Sequence, residues 1–62
     1  MSPLEQYQHL LATHDWFYDY SDDYSAWKRG QEHAAKIAAL GRQVDPTGQI
    51  RTDYYNAHIK KG

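Results

Sequence analysis

The chain of 62 residues contains no cysteine and only two prolines, Pro3 and Pro46. It has few branched aliphatics: Leu4, Leu10, Leu11, Ile37, Leu40, Val44, Ile50 and Ile59 are all there are. It has no long apolar run, and its first 25 residues carry no Lys or Arg. Each absence excludes something. Without cysteine there are no disulfides, thiolate zinc sites, iron–sulfur clusters or cysteine nucleophiles. Without 18 or more consecutive apolar residues there is no membrane-spanning segment. Met1-Ser2-Pro3-Leu4-Glu5 lacks the basic and apolar regions of a signal peptide, so a cytoplasmic location is expected. The length is that of one domain, 1–62, too small to wall a substantial catalytic cleft. A non-enzymatic protein without cofactor is expected.

In place of aliphatics there are nine rings: six Tyr, two Trp and one Phe. The net charge of −1 excludes the highly charged, ring-poor composition of disordered chains. That small net charge conceals a division. Residues 1–25 hold five carboxylates and no Lys or Arg, whereas residues 26–62 hold seven Lys and Arg against three carboxylates. Such a division signals either two halves that face each other or an interaction surface.

Helix signals are clear at the N-terminus. Ser2, Pro3 and Glu5 form a capping box with proline at the first helical position. Leu4, Tyr7, Leu10, Leu11 and His14 follow at helical spacing, predicting a helix over about 3–14. The ring-rich stretch from Trp16 to Tyr20 reads as an irregular connector covering the open end of a helix pair. Ser21 is the expected cap of a second helix over about 22–40, with Asp22 and Asp23 in its first turn. Tyr24, Trp27, Gln31, Ala34, Ala38 and Gly41 lie along one stripe of that helix, with Ile37 and Val44 at its edge. Gly30 marks a close contact or a break, and Gly41 is the expected residue just past the helix end. Asp45-Pro46-Thr47-Gly48 has the composition of a type I turn. A structured loop is favoured there over a tiny β-hairpin pairing Gln43-Val44 with Ile50-Arg51. Thr52 or Asp53 then caps a last helix over about 53–60. The expected architecture is an all-α domain of three helices. Its core is Leu4, Tyr7, Leu11, Trp16, Trp27, Ala34, Ile37, Leu40 and Ile59.

Metal sites find little support. An EF-hand loop begun at Asp15 puts Tyr20 at the glycine position and Ala26 at the bidentate Glu; one begun at Asp19 puts Tyr24 at the glycine. His9 and His14 are five apart, about 140° around a helix, and no H-x-x-x-H spacing occurs. A tertiary grouping of His14, Asp15 and His58 is the one arrangement left open, and no metal is expected. His14 is read as facing the C-terminal end of the first helix dipole. No nucleophile elbow and no glycine-rich phosphate loop is present.

The most distinctive segment runs from His14 to Tyr24 and interleaves five rings with four aspartates. Trp16, Phe17 and Trp27 are read as core. A domain of this size cannot bury every ring, and exposed tyrosines are favoured anchors of protein interfaces. Asp19, Tyr20, Asp22, Asp23 and Tyr24 are therefore the candidate partner-binding residues. His14 to Asp23, continued by Trp27, Arg29 and Gly30, resembles a pattern in small proteins of bacteria and of their phages or plasmids. No activity, cofactor or binding residue comes with that resemblance. It implies a short accessory protein that binds and modulates a larger host protein. The alternative is nucleic-acid binding through Lys28, Arg29, Lys36, Arg42, Arg51, Lys60 and Lys61, with Tyr54 and Tyr55 able to stack on bases. A pI near 6.4 and the acidic first half weigh against it. Self-association through Gly30, Ala34 and Ala38, giving a homodimer, is compatible with either reading.

Overall fold

The computed structural model describes residues 1–60. Three helices follow one another: α1, Pro3–Thr13; α2, Tyr24–Val44; and α3, Gln49–Tyr54, which runs on into a π-helical turn over Tyr55–Ile59. A short 3₁₀ turn, Tyr18–Tyr20, interrupts the connector between α1 and α2. The domain is all-α, and no strand occurs among the described residues. The hairpin pairing is therefore replaced by the turn that was its competitor.

α1 begins as its sequence dictates. The Ser2 hydroxyl accepts from the Glu5 amide at 3.2 Å, and the Glu5 carboxylate accepts from the Ser2 amide at 3.4 Å. α2 begins two residues later than expected. Asp23 is its N-cap, accepting from the Ser25 amide at 3.0 Å, while the Ser21 hydroxyl accepts from the Asp23 amide at 3.2 Å. Ser21 thus shapes the approach, and Asp23 caps the helix.

The ends of α2 and α3 depart further from the sequence pattern. Gly41 does not end α2; it lies inside it, buried beneath the ring of Tyr7. A Cβ there would sit 3.2 Å from Tyr7 Cε1, so glycine leaves room on α2 for the Tyr7 ring of α1. α2 ends instead at Asp45, whose amide donates to the Gly41 carbonyl at 2.7 Å. The turn closes as expected, with the Gly48 amide donating to the Asp45 carbonyl at 2.9 Å. Gly48 adopts a left-handed φ of 73° and leads straight into α3. α3 therefore starts at Gln49, three residues before Thr52 and four before Asp53. Its first turn is capped by the Asp45 carboxylate across the turn, accepting from the Ile50 amide at 3.0 Å and the Arg51 amide at 3.1 Å.

Among the described residues the buried apolar core is small: Tyr7, Leu11 and Ile37. Leu10, Trp16, Leu40, Val44, Ile50 and Tyr54 pack around it, half-buried. Leu4 is exposed rather than core, and Trp27 is half-buried against Tyr24 outside this cluster. The radius of gyration, 11.9 Å, exceeds the roughly 10.5 Å expected of a compact chain of this length. A thin core and an open outline go together. No helix among the described residues is long and apolar enough to cross a membrane.

Candidate functional site

The ring-rich connector divides its side chains between two roles. Trp16 folds inward: its indole N–H donates to the Leu11 carbonyl at 3.2 Å, and its ring stacks on Tyr54 with centroids 5.9 Å apart. The Leu11 carbonyl lies in the last turn of α1, where carbonyls lack helical partners, so Trp16 closes that end. Tyr18 is half-buried over Gly30, which places the close contact expected at that glycine within the same chain. The stripe Gly30, Ala34, Ala38 is thereby partly consumed, because Gly30 is covered by the chain's own connector.

The remaining rings face solvent. Phe17 is 55% exposed, Tyr20 84% and Tyr24 69%. Phe17, expected as core, belongs to this outer group instead, its ring beside Tyr20 with centroids 6.5 Å apart. The reason is local: the Asp15 carboxylate accepts from the Phe17 amide at 3.0 Å, and the 3₁₀ turn begins directly after it. Asp19, Asp22 and Asp23 are exposed as well. All five candidate partner-binding residues therefore lie on the surface, though Asp23 also carries the cap of α2.

Of the candidate nucleic-acid residues, the six that the structure describes are exposed but dispersed. Arg29 and Lys36 are seven apart on α2 and share a face, whereas Lys28 and Arg42 lie well around the helix from them. Arg51 is on α3, Lys60 follows the π-helical turn, and Lys61 lies outside the described residues. Among the described residues no single basic stripe results.

Two polar groupings were not evident in the sequence. The first joins the three helices. The Tyr7 hydroxyl donates to Asp45 Oδ2 at 2.8 Å, with both residues buried. Burial raises the Tyr7 hydroxyl to about 12, and the hydrogen bond and charge of Asp45 add to the rise. For Asp45, desolvation works against ionisation. The Ile50 amide, the Tyr7 hydroxyl, the Arg51 amide and the Arg51 charge together outweigh it and hold the carboxyl below its ordinary value.

The second is a pair of imidazoles. His14, the C-cap of α1, has its Nδ1 3.0 Å from Nδ1 of His33 in the middle of α2. Both are half-buried at one wall of an open cleft of about 420 Å³, lined also by Asp15, Arg29, Glu32 and Lys36. His14 does not meet His58, whose ring packs on Tyr54 at 4.5 Å. Among the described residues no group of three or more His, Cys, Asp or Glu side chains is arranged to hold a metal ion.

No protein-family model, curated protein or solved structure matches the chain.

Proposed function

We propose that the chain is a small protein-binding module whose contact surface is the acidic, ring-bearing edge of Asp19, Tyr20, Asp22, Asp23 and Tyr24, with Phe17 beside them. The observation that carries this reading is the exposure of three large rings, 55%, 84% and 69%, in a chain whose buried apolar side chains among the described residues are Tyr7, Leu11 and Ile37 alone. A folded domain short of apolar material gains stability by burying rings. Leaving these three in water is a cost that an interface would recover. Tyrosine suits such a role, since it brings a large rigid surface and a hydroxyl for little rotamer entropy. The carboxylates among the rings favour a partner with a basic face, and their field would speed its approach at low salt. The sequence resemblance adds that the partner is a larger host protein, bound by an accessory protein of phage or mobile-element type.

The fold refines the choice of variant. Asp23 caps α2, so its loss would mix folding with binding. Asp19 and Asp22 are exposed and outside the capping bonds of α2. The test is a photo-crosslinker placed at Tyr20, followed by titration of the captured protein with wild type and with the Asp19→Lys, Asp22→Lys double variant. The double variant is expected to keep its circular dichroism and lose about tenfold or more in affinity, with the wild-type association rate falling as salt rises. Undiminished affinity in the double variant would remove this reading. Capture of DNA or RNA instead, with log affinity falling linearly with log salt, would move the assignment to the basic residues.

A further inference from the structure

The His14–His33 pair is not used by the proposed contact surface, and its geometry sets a limit on its protonation. At 3.0 Å the two Nδ1 atoms are at hydrogen-bond distance. One must carry hydrogen and donate, and the other must be bare and accept. The pair is satisfied with no extra proton, or with one, when the bond becomes charge-assisted. A second proton leaves two N–H groups pointing at each other with no acceptor, and two positive charges in contact.

What would move is also defined. His14 stands where α1 ends and the connector begins. The ring of Trp16 meets it edge-on at 5.4 Å, and that of Tyr18 lies at 5.7 Å. The charged groups lining the same cleft are two of each sign: Asp15 from the connector and Glu32 from α2 favour protonation, while Arg29 and Lys36 from α2 oppose it. In support, partial burial lowers His14 below its ordinary value, the nearby His33 lowers it further, and Asp15 pulls the other way.

We propose that His14 and His33 form a proton-operated clasp that ties the junction of α1 and the aromatic connector to α2 while it holds at most one proton beyond the neutral pair, and that opens on the second extra proton. The opening releases Trp16 and Tyr18 from their packing as pH falls below the ordinary histidine value of about 6.5. Only this chain's own side chains are required, so the clasp stands independently of what the outer edge binds.

The experiment is an NMR titration of the histidine side chains of the full chain from pH 8 to pH 4.5. Tryptophan fluorescence and urea unfolding are followed at the same pH values, with and without EDTA. The signals of His9 and His58, which lie outside the pair, are followed in the same spectra. The expected result is that His14 and His33 titrate as a coupled pair with two separated steps. Fluorescence should change with the second step, and the folding constant should drop by about tenfold from pH 7 to pH 5. In His33→Gln, which can still donate or accept but takes no proton, most of that drop should vanish. Two independent single-site curves in the wild type would overturn the proposal whether or not the variant folds. So would a full pH drop in His33→Gln, or a transition that disappears with EDTA, which would assign the pair to a bound cation.

Discussion

Tyr7 and Asp45 are joined by a 2.8 Å hydrogen bond across 38 residues of chain. Through it, α1 is tied to the point where α2 ends and α3 begins. Asp45 serves all three helices: its amide closes α2, its carboxylate caps α3, and its Oδ2 receives the hydroxyl from α1. With only three buried apolar side chains among the described residues, this polar joint ties together helices that share little core. Tyr7→Phe keeps the ring and deletes the donor to a buried carboxylate. The expected loss is about 1–3 kcal/mol of unfolding free energy in urea. Asp45→Ala should cost more than Tyr7→Phe, because it also uncaps α3 and leaves the Tyr7 hydroxyl without an acceptor.

The same bond gives a pH profile with two shoulders. Tyr7 is raised to about 12 from an ordinary value of 10.0, so its contribution is full below pH 10 and is lost as pH rises toward 12. Asp45 is lowered from 3.8, so its contribution is present above that value and is lost as pH falls below it toward the folded-state value. Urea unfolding between pH 9 and pH 12 should show stability falling across the upper window in wild type. Tyr7→Phe should lack that component, and an identical alkaline decline in the two proteins would mean that Tyr7 ionises as freely folded as unfolded.

How much of this was legible depended on whether the signal was local. The capping box at Ser2 and Glu5, the turn at Asp45–Gly48 and the helical spacing from Tyr7 to Leu11 each lie within a few residues, and each appears in the fold as expected. Gly41 was misleading because its glycine answers to Tyr7, a residue in another helix, and not to the helix end. In the sequence Asp45 signals only its turn; its further service to the amides of Ile50 and Arg51 moves the start of α3 forward. An aspartate just before a proline–glycine turn is a usable signal for such a cap. The His14–His33 pair had no such signal. Its members are 19 residues apart, and only the packing of α1 and the connector on α2 brings them together. The split of the connector into inward-packed, half-buried Trp16 and exposed Tyr20 is legible only as a surplus of rings. Which ring went where depended on the Asp15–Phe17 turn.

Gly48 offers a test of backbone alone. Its φ of 73° lies in the left-handed region, and a Cβ built there meets nothing within 4 Å. Gly48→Ala therefore loses stability only through its backbone, by about 1–2 kcal/mol. Gly48→Asn should recover much of that, because asparagine tolerates the left-handed region. Thermal unfolding of the three proteins should rank them Gly, Asn, Ala.

Gly30 offers the opposite case, in which conformation favours substitution and space forbids it. In a helix interior alanine is better than glycine by about 1 kcal/mol. A Cβ on Gly30, however, would run into Cβ and Cγ of Tyr18, and lies 2.8 Å from its Cδ2. These are the root of the side chain, which cannot swing aside as a tip can, so the 3₁₀ turn itself must move. Gly30→Ala is expected to be destabilising by about 1–3 kcal/mol net. Tyr18→Ala should relieve this only in part, since its own Cβ remains in the way. Tyr18→Gly should relieve it most. A double-mutant cycle measured by urea unfolding reads the coupling directly, and additive effects for Gly30→Ala with Tyr18→Gly would show that the two residues do not touch in solution. At Gly41 the nearest atoms are ring-tip atoms of Tyr7 at 3.2 and 3.3 Å, so Gly41→Ala should be milder, its cost set by how firmly Asp45 holds the Tyr7 hydroxyl in place.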